Sequence, residues 1–237
     1  MERVKPHAAN YRLKTIRRLY AWTVSTERVR YNPAAGVLPV RAKSRGFVPW
    51  VLEDVKAFET RHPPGTMAWL ALQLMLFSAA RRSDIFAFGP LNLRGGRLHW
   101  VQAKNRRNAP NVMSIPILPP LREALEISKN ILGDTTFLTN AHGKPFASAA
   151  AFGNWFRDRC DEAGLAGKSA HRVRKLVGIM AALNDATGKQ IQEILGHATQ
   201  AESETYVREA NRFLLADAGF AKTLSEREAL SFLKSLI

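Results

Sequence analysis

The sequence predicts a mainly α fold (α+β): a helical domain carrying one small antiparallel β-sheet or hairpin. Three observations lead there. Apolar residues recur at helical spacing along most of the 237 residues. The period changes at LNLRGGRLHWVQAK, where Gly95-Gly96 separates two short runs rich in Leu, Trp and Val, a hairpin signal. VMSIPIL then supplies another strand, after which helical spacing returns.

The elements follow in order. Leu13, Ile16, Leu19, Tyr20 and Val24 share one face of a helix over residues 8 to about 29, which Asn32-Pro33 stops. Gly36, Pro39, Gly46 and Pro49, with Arg41, Lys43 and Arg45 among them, mark a basic linker over 36–49. One helix cannot form a core alone, so residues 1–35 read as a terminal helix or the remnant of a larger domain. The main domain is expected over 50–223, with helices near 51–60, 66–80 and 82–88. After the hairpin, Pro119-Pro120 opens a helix to about 130, and Ser148 caps one running to Gly164. Further helices are expected near 171–184, 188–195 and 200–217. The tail 224–237 reads as an amphipathic helix, with Leu224, Ala229, Leu230, Leu233 and Leu236 on its apolar side.

The charge narrows the partners. Thirty-five Lys and Arg against 20 Asp and Glu leave a formal +15. Such an excess self-repels unless a polyanion compensates it, which points to nucleic acid over a membrane surface. The most apolar run, Ala68 to Ala80, is too short to span a bilayer and ends in Arg81-Arg82. A lone cysteine, Cys160, excludes an intramolecular disulfide. The N-terminus lacks an apolar signal core. A soluble, cytoplasmic protein is expected.

Four groups carry candidate chemistry. Arg81 and Arg82 emerge from the apolar run at a fixed place, as a guanidinium clamp on phosphate requires, and Asp84 lies close enough to brace an arginine. His171 and Arg174, three apart, share a helix face near a helix start that favours an anion. His197 sits on the turn LGH, and Tyr206 follows about two helical turns into the next helix. Lys104, followed by Arg106 and Arg107, comes where a strand gives way to a polar loop. Taken singly, each group also fits an ordinary basic surface or a half-buried tyrosine. HExxH spacing is absent, which argues against a zinc site.

Together, and in this order, they resemble the catalytic set of the tyrosine recombinase (phage integrase) family. ARRSD is similar to that family's Arg-Arg-Ser-Glu segment, with Asp84 at the acidic position. HRVRK resembles its His-x-x-Arg-Arg/Lys helix, LGH with Tyr206 nine residues on resembles its ending, and YNPAAGV its interdomain junction. The resemblance covers residues 8 to about 215. It departs at Asp84, at Ala79-Ala80 in place of a Gly-Leu type turn, and in having a single helix before the linker.

The resemblance implies a DNA integrase that breaks and rejoins strands without metal, nucleotide or other cofactor. Tyr206 would attack the phosphorus and form a 3′-phosphotyrosyl link. Arg81 and Arg174 would hold the non-bridging oxygens, and His197 would hydrogen-bond the phosphate. His171 would take the tyrosine proton or position the phosphate, and Lys104 would protonate the leaving 5′-oxygen. Arg41, Lys43, Arg45, Arg82, Arg106, Arg107 and Lys175 would contact the DNA backbone. The implied partners are double-stranded attachment sites, further copies of the chain (a tetramer in the synapse) and a directionality factor. The implied setting is a bacterial or phage mobile element, at the nucleoid. A relaxing topoisomerase and a non-catalytic DNA-binding integrase fragment are the competing readings.

Overall fold

In a computed structural model, residues 6–41, 50–104, 109–208 and 210–211 are described. The chain divides into two compact units, Met1–Phe47 and Val48–Ile237. Lys43, Arg45, Arg106, Arg107 and the tail 224–237 lie outside the described residues.

The first unit holds α1 (Pro6–Ser25). It ends earlier than the period suggested, because Glu27 turns into the left-handed region at φ 57°. The following segment runs back along it. Arg17 donates to the carbonyls of Ala34, Ala35 and Val37, and the Asn10 amide pairs with Val40 in both directions. Ala34, Ala35, Val37 and Val40, at and just before the start of the basic stretch, are thereby bonded to α1.

The second unit is built around α3 (Met67–Ser78). This helix is apolar on every side, and all residues from Ala68 to Met75 are buried. A helix without a polar face must be enclosed. α2 (Leu52–Arg61), α5 (Pro119–Ile127), α6 (Ala149–Glu162) and α7 (Ala170–Leu183) surround the core. Phe58, Phe152 and Phe156 are fully enclosed in it beside Trp50. Ser148 caps α6 as expected, accepting from the Ala151 N–H at 3.1 Å. α4 (Arg82–Ile85) is a single turn, shorter than expected, and leads through a 3-10 turn (Pro90–Asn92) to the sheet.

The sheet is antiparallel, ordered β1 (Leu93–Arg94), β2 (Arg97–Val101), β3 (Val112–Pro116). β2 and β3 pair from Arg97↔Pro116 to Val101↔Val112. Leu98 and Trp100 face the core from alternate positions of β2. α8 (Gly188–Leu195) and α9 (residues 200–208) complete the described unit. Ala182, Ile191, Leu195 and Ala210 form a second, smaller core there. Among the described residues no helix is long and apolar enough to cross a membrane.

Candidate active site

The site forms where α3, α7, α8 and the β2–β3 hairpin converge. α3 closes on Ala79, which adopts a left-handed cap at φ 50° and aims its carbonyl at α7. Arg81 follows directly and serves as the residue before α4. α8 ends on Gly196, also left-handed at φ 56°. A Cβ at Gly196 would come within 2.1 Å of Gln102 Nε2 and 2.5 Å of Met113 Sδ. Glycine is therefore required there twice, by backbone conformation and by the approach of the hairpin.

The two carbonyls at the end of α8 hold the two arginines. Arg174 is buried; its Nη1 donates to the Ala79 carbonyl at 2.6 Å and its Nη2 to the Leu195 carbonyl. Arg81 Nη2 donates to the Gly196 carbonyl at 3.2 Å. A helix C-terminus carries partial negative charge, so it suits this task. Arg81 Nη1 is buried and bonded to no acceptor among the described residues. A buried donor left unmade is costly unless an incoming acceptor takes it.

His197 and Tyr206 lie beside this pair. Their rings are near parallel with centroids 5.9 Å apart. Ser203, fully buried on α9, places its Oγ 2.9 Å from His197 Nδ1. A serine O–H donating into Nδ1 leaves the proton of a neutral ring on Nε2. The Tyr206 ring rests on Gly178 of α7, one helical turn beyond Arg174: a Cβ at Gly178 would lie 2.8 Å from two of its ring carbons. A phenolate at Tyr206 would favour the charged form of Arg174.

His171 occupies the first turn of α7, exposed at the rim, with the charges of Arg174, Arg82, Arg81 and Arg172 around it. Arg82 lies with its side chain against Gly153 of α6. Lys104 stands at the start of the hairpin loop and lines, with Arg81, Gln102, Asn111 and His197, a cleft of about 320 Å³. Asp84 acts on an arginine through its charge, favouring the charged form of Arg174. Its Oδ1 accepts the Ala103 N–H at 2.7 Å, which fixes the residue next to Lys104. Spacing along the chain could not reveal a partner 19 residues away.

The electrostatics are those of an anion site. Burial, then Arg174, pushes His197 down to about 4, with Arg81 and Lys104 adding to the effect against Glu202. Partial desolvation and the same arginines lower His171. Burial and Arg81 bring the Arg174 guanidinium to about 10, so it stays charged at neutral pH. The site thus offers charged guanidinium donors and neutral imidazoles, a combination suited to holding a phosphoryl group and moving a proton beside it. Among the described residues no group of three His, Cys, Asp or Glu side chains is placed to hold a metal ion. Gln102, Asn111, Ser203 and Gly178 were not singled out in the sequence. Only Gly178, a glycine inside a helical run, carried a signal there.

No family-level sequence model matches the chain, and no curated protein matches it. Solved structures do match, and they define the class of fold: it is that of the tyrosine recombinase catalytic domain. One is a lambda integrase (residues 75–356) dimer bound to a COC′ core site, with TM-score 0.68 and 18% identity over 82% of this chain and 73% of that one. A second is a lambda integrase tetramer bound to a Holliday junction, with TM-score 0.68 and 18% identity over 83% of this chain. This chain spans only 60% of that longer one. The third is a Tn1549 transposon integrase fragment in complex with a circular intermediate DNA, with TM-score 0.69 and 12% identity over 91% of this chain and 80% of that one.

Proposed function

We propose that this chain is a site-specific DNA recombinase of the integrase type, cutting and rejoining strands through a tyrosine-linked intermediate. One observation carries the reading: Arg81, Lys104 and His197 line one cleft, Arg174 is held on the Leu195 carbonyl beside it, Tyr206 stacks near His197, and the same arginines act on His171. The fold and the DNA-bound state of the matching integrases support it.

Tyr206 Oη attacks the scissile phosphorus while the P–O5′ bond breaks. The phenol proton passes to neutral His171, and Lys104 delivers a proton to the leaving 5′-oxygen. Arg81 and Arg174 neutralise the charge that builds on the non-bridging oxygens, and His197 donates to one of them. The product is a 3′-phosphotyrosine and a free 5′-hydroxyl. Attack by a 5′-hydroxyl from another strand reverses the steps and completes exchange. The covalent link conserves the phosphodiester energy, so no ATP is consumed.

The expected partners are double-stranded attachment sites and further copies of the chain, assembled on DNA as a tetramer. The basic residues Arg41, Arg82 and Lys175 supply backbone affinity without sequence choice. The role in moving a mobile element rests on the same resemblance to integrases.

The test uses a pool of nicked duplexes with a randomised centre, incubated with the full chain in EDTA. A covalent protein–DNA adduct is expected with the natural chain and none with Tyr206→Phe. Salt-sensitive binding with no adduct would instead identify a non-catalytic DNA-binding fragment.

A further inference from the structure

We propose that Gln102 and Asn111 are positioning residues that set where Lys104 enters the cleft. The inference rests on the recombinase reading above and adds to it.

Gln102 is out of place on burial grounds. It continues the inward face of β2, after Leu98 and Trp100, and is only 2% exposed. An aliphatic side chain would fill such a position with no polar atoms to satisfy. Both polar atoms of the amide nonetheless find a partner. Its Nε2 donates to the Leu195 carbonyl at 3.3 Å, and its Oε1 accepts from Asn111 Nδ2 at 3.3 Å. Asn111 Nδ2 also reaches the Gly196 carbonyl at 3.4 Å. The Gln102 N–H donates to the Asn111 carbonyl at 2.9 Å, so the two residues close the base of the loop.

The two acceptors are the carbonyls that hold the arginines. Leu195 receives Arg174 and Gln102; Gly196 receives Arg81 and Asn111. Each carbonyl thus joins one guanidinium to one hairpin amide. With the Ala103 N–H held by Asp84, the chain is tied down just before Lys104 on three sides: to α8, to α4 and to the returning strand. A lysine has a flexible four-carbon stem and does not fix its own ammonium. Its placement within about 1 Å depends on where its backbone is held, and an error of that size costs up to about 10²-fold in rate. The amides are neutral, so they share the carbonyls without competing for the arginines' charge.

The experiment separates delivery of a proton from everything else. Single-turnover cleavage is measured on a duplex recovered from the randomised pool, made with either 5′-oxygen or 5′-bridging sulfur at the scissile phosphate. The sulfur leaves as a thiolate, whose acid has a pKa of about 8.5 against about 15.7 for water, and needs no proton donor. Gln102→Leu, which keeps the buried volume, Asn111→Ala and Lys104→Ala are each compared with the natural chain, with thermal melts alongside. The expected result is a slowing of about tenfold or more on oxygen for all three, with rates on sulfur returning to near the natural value. Equal slowing of Gln102→Leu and Asn111→Ala on both substrates would overturn the proposal, since a defect in the arginines or the fold is blind to the leaving group. So would natural rates on oxygen. Failure of sulfur to rescue Lys104→Ala would overturn the proposal too, by removing the lysine's task, while leaving the tyrosine chemistry standing. Absence of any adduct from the natural chain on either substrate would overturn the recombinase reading itself.

Discussion

Replacing Gly178 with alanine should separate the stability of this protein from its chemistry. Gly178 lies inside α7, where alanine is preferred to glycine by about 1 kcal/mol. The new Cβ, however, would stand 2.8 Å from Cδ1 and Cε1 of Tyr206 and 3.1 Å from Leu195 Cδ1. Ordinary contact begins at 3.4 Å, so the phenol must move by at least 3.4 − 2.8 = 0.6 Å. Overpacking of this kind costs about 1–3 kcal/mol. Set against the helix gain, the net effect on folding is a loss of no more than about 2 kcal/mol. On the proposed mechanism the chemical effect should be larger in proportion, because displacing an attacking group by about 1 Å can slow reaction about 10²-fold. Urea melts and single-turnover adduct formation measure the two quantities on one sample. In a Tyr206→Ala background only the 3.1 Å approach to Leu195 Cδ1, the end of a flexible side chain, remains, and Gly178→Ala should then stabilise by up to about 1 kcal/mol. A folded Gly178→Ala protein that forms adduct at the natural rate would refute the reasoning, because the nucleophile would not depend on its seat on α7.

Other outcomes follow from the same geometry. Gly196→Ala meets left-handed strain of about 1–2 kcal/mol and overpacking of about 1–3 kcal/mol against Gln102 and Met113; urea melts should show a loss of about 2–5 kcal/mol. His197 in the folded protein lies near 4, below its ordinary 6.5, so the unfolded chain binds more protons between those values. Its contribution to stability is therefore complete above about pH 6.5 and lost as pH falls toward 4, with His171 acting in the same direction. Urea midpoints from pH 7.5 to 4 should fall more for the natural chain than for His197→Gln. DNA affinity should fall steeply with salt, and Arg82→Ala and Lys175→Ala should each reduce the slope of log K against log salt by about 0.9, measured by fluorescence anisotropy.

Much of this arrangement is legible in the sequence. Helical periods, the Ser148 cap and Gly95-Gly96 between strands located the elements, because each signal is local. Arg81, His171, Arg174, His197 and Tyr206 stood out because their types and order are distinctive even where each alone is ordinary. The residues that hold them in place did not stand out. Asp84 bonds a backbone N–H 19 positions away, Gln102 a carbonyl 93 positions away, and Asn111 one 85 away. Nothing in composition or spacing predicts such partners, since they exist only once the hairpin folds onto the end of α8. Ala79 is a related case. The sequence marks only a small residue after an apolar helix, whereas the fold makes it a left-handed cap whose carbonyl seats Arg174.

The central claim is that Tyr206 is the nucleophile, and the most direct test is to find the phosphate on it. The covalent complex formed on a nicked duplex in EDTA would be digested with nuclease and protease, and the nucleotide-bearing peptide sequenced by mass spectrometry. The account predicts a 3′-phosphonucleotide on Tyr206 and no labelled peptide from Tyr206→Phe. A nucleotide on any other side chain, or cleaved DNA with no covalent peptide, would contradict it.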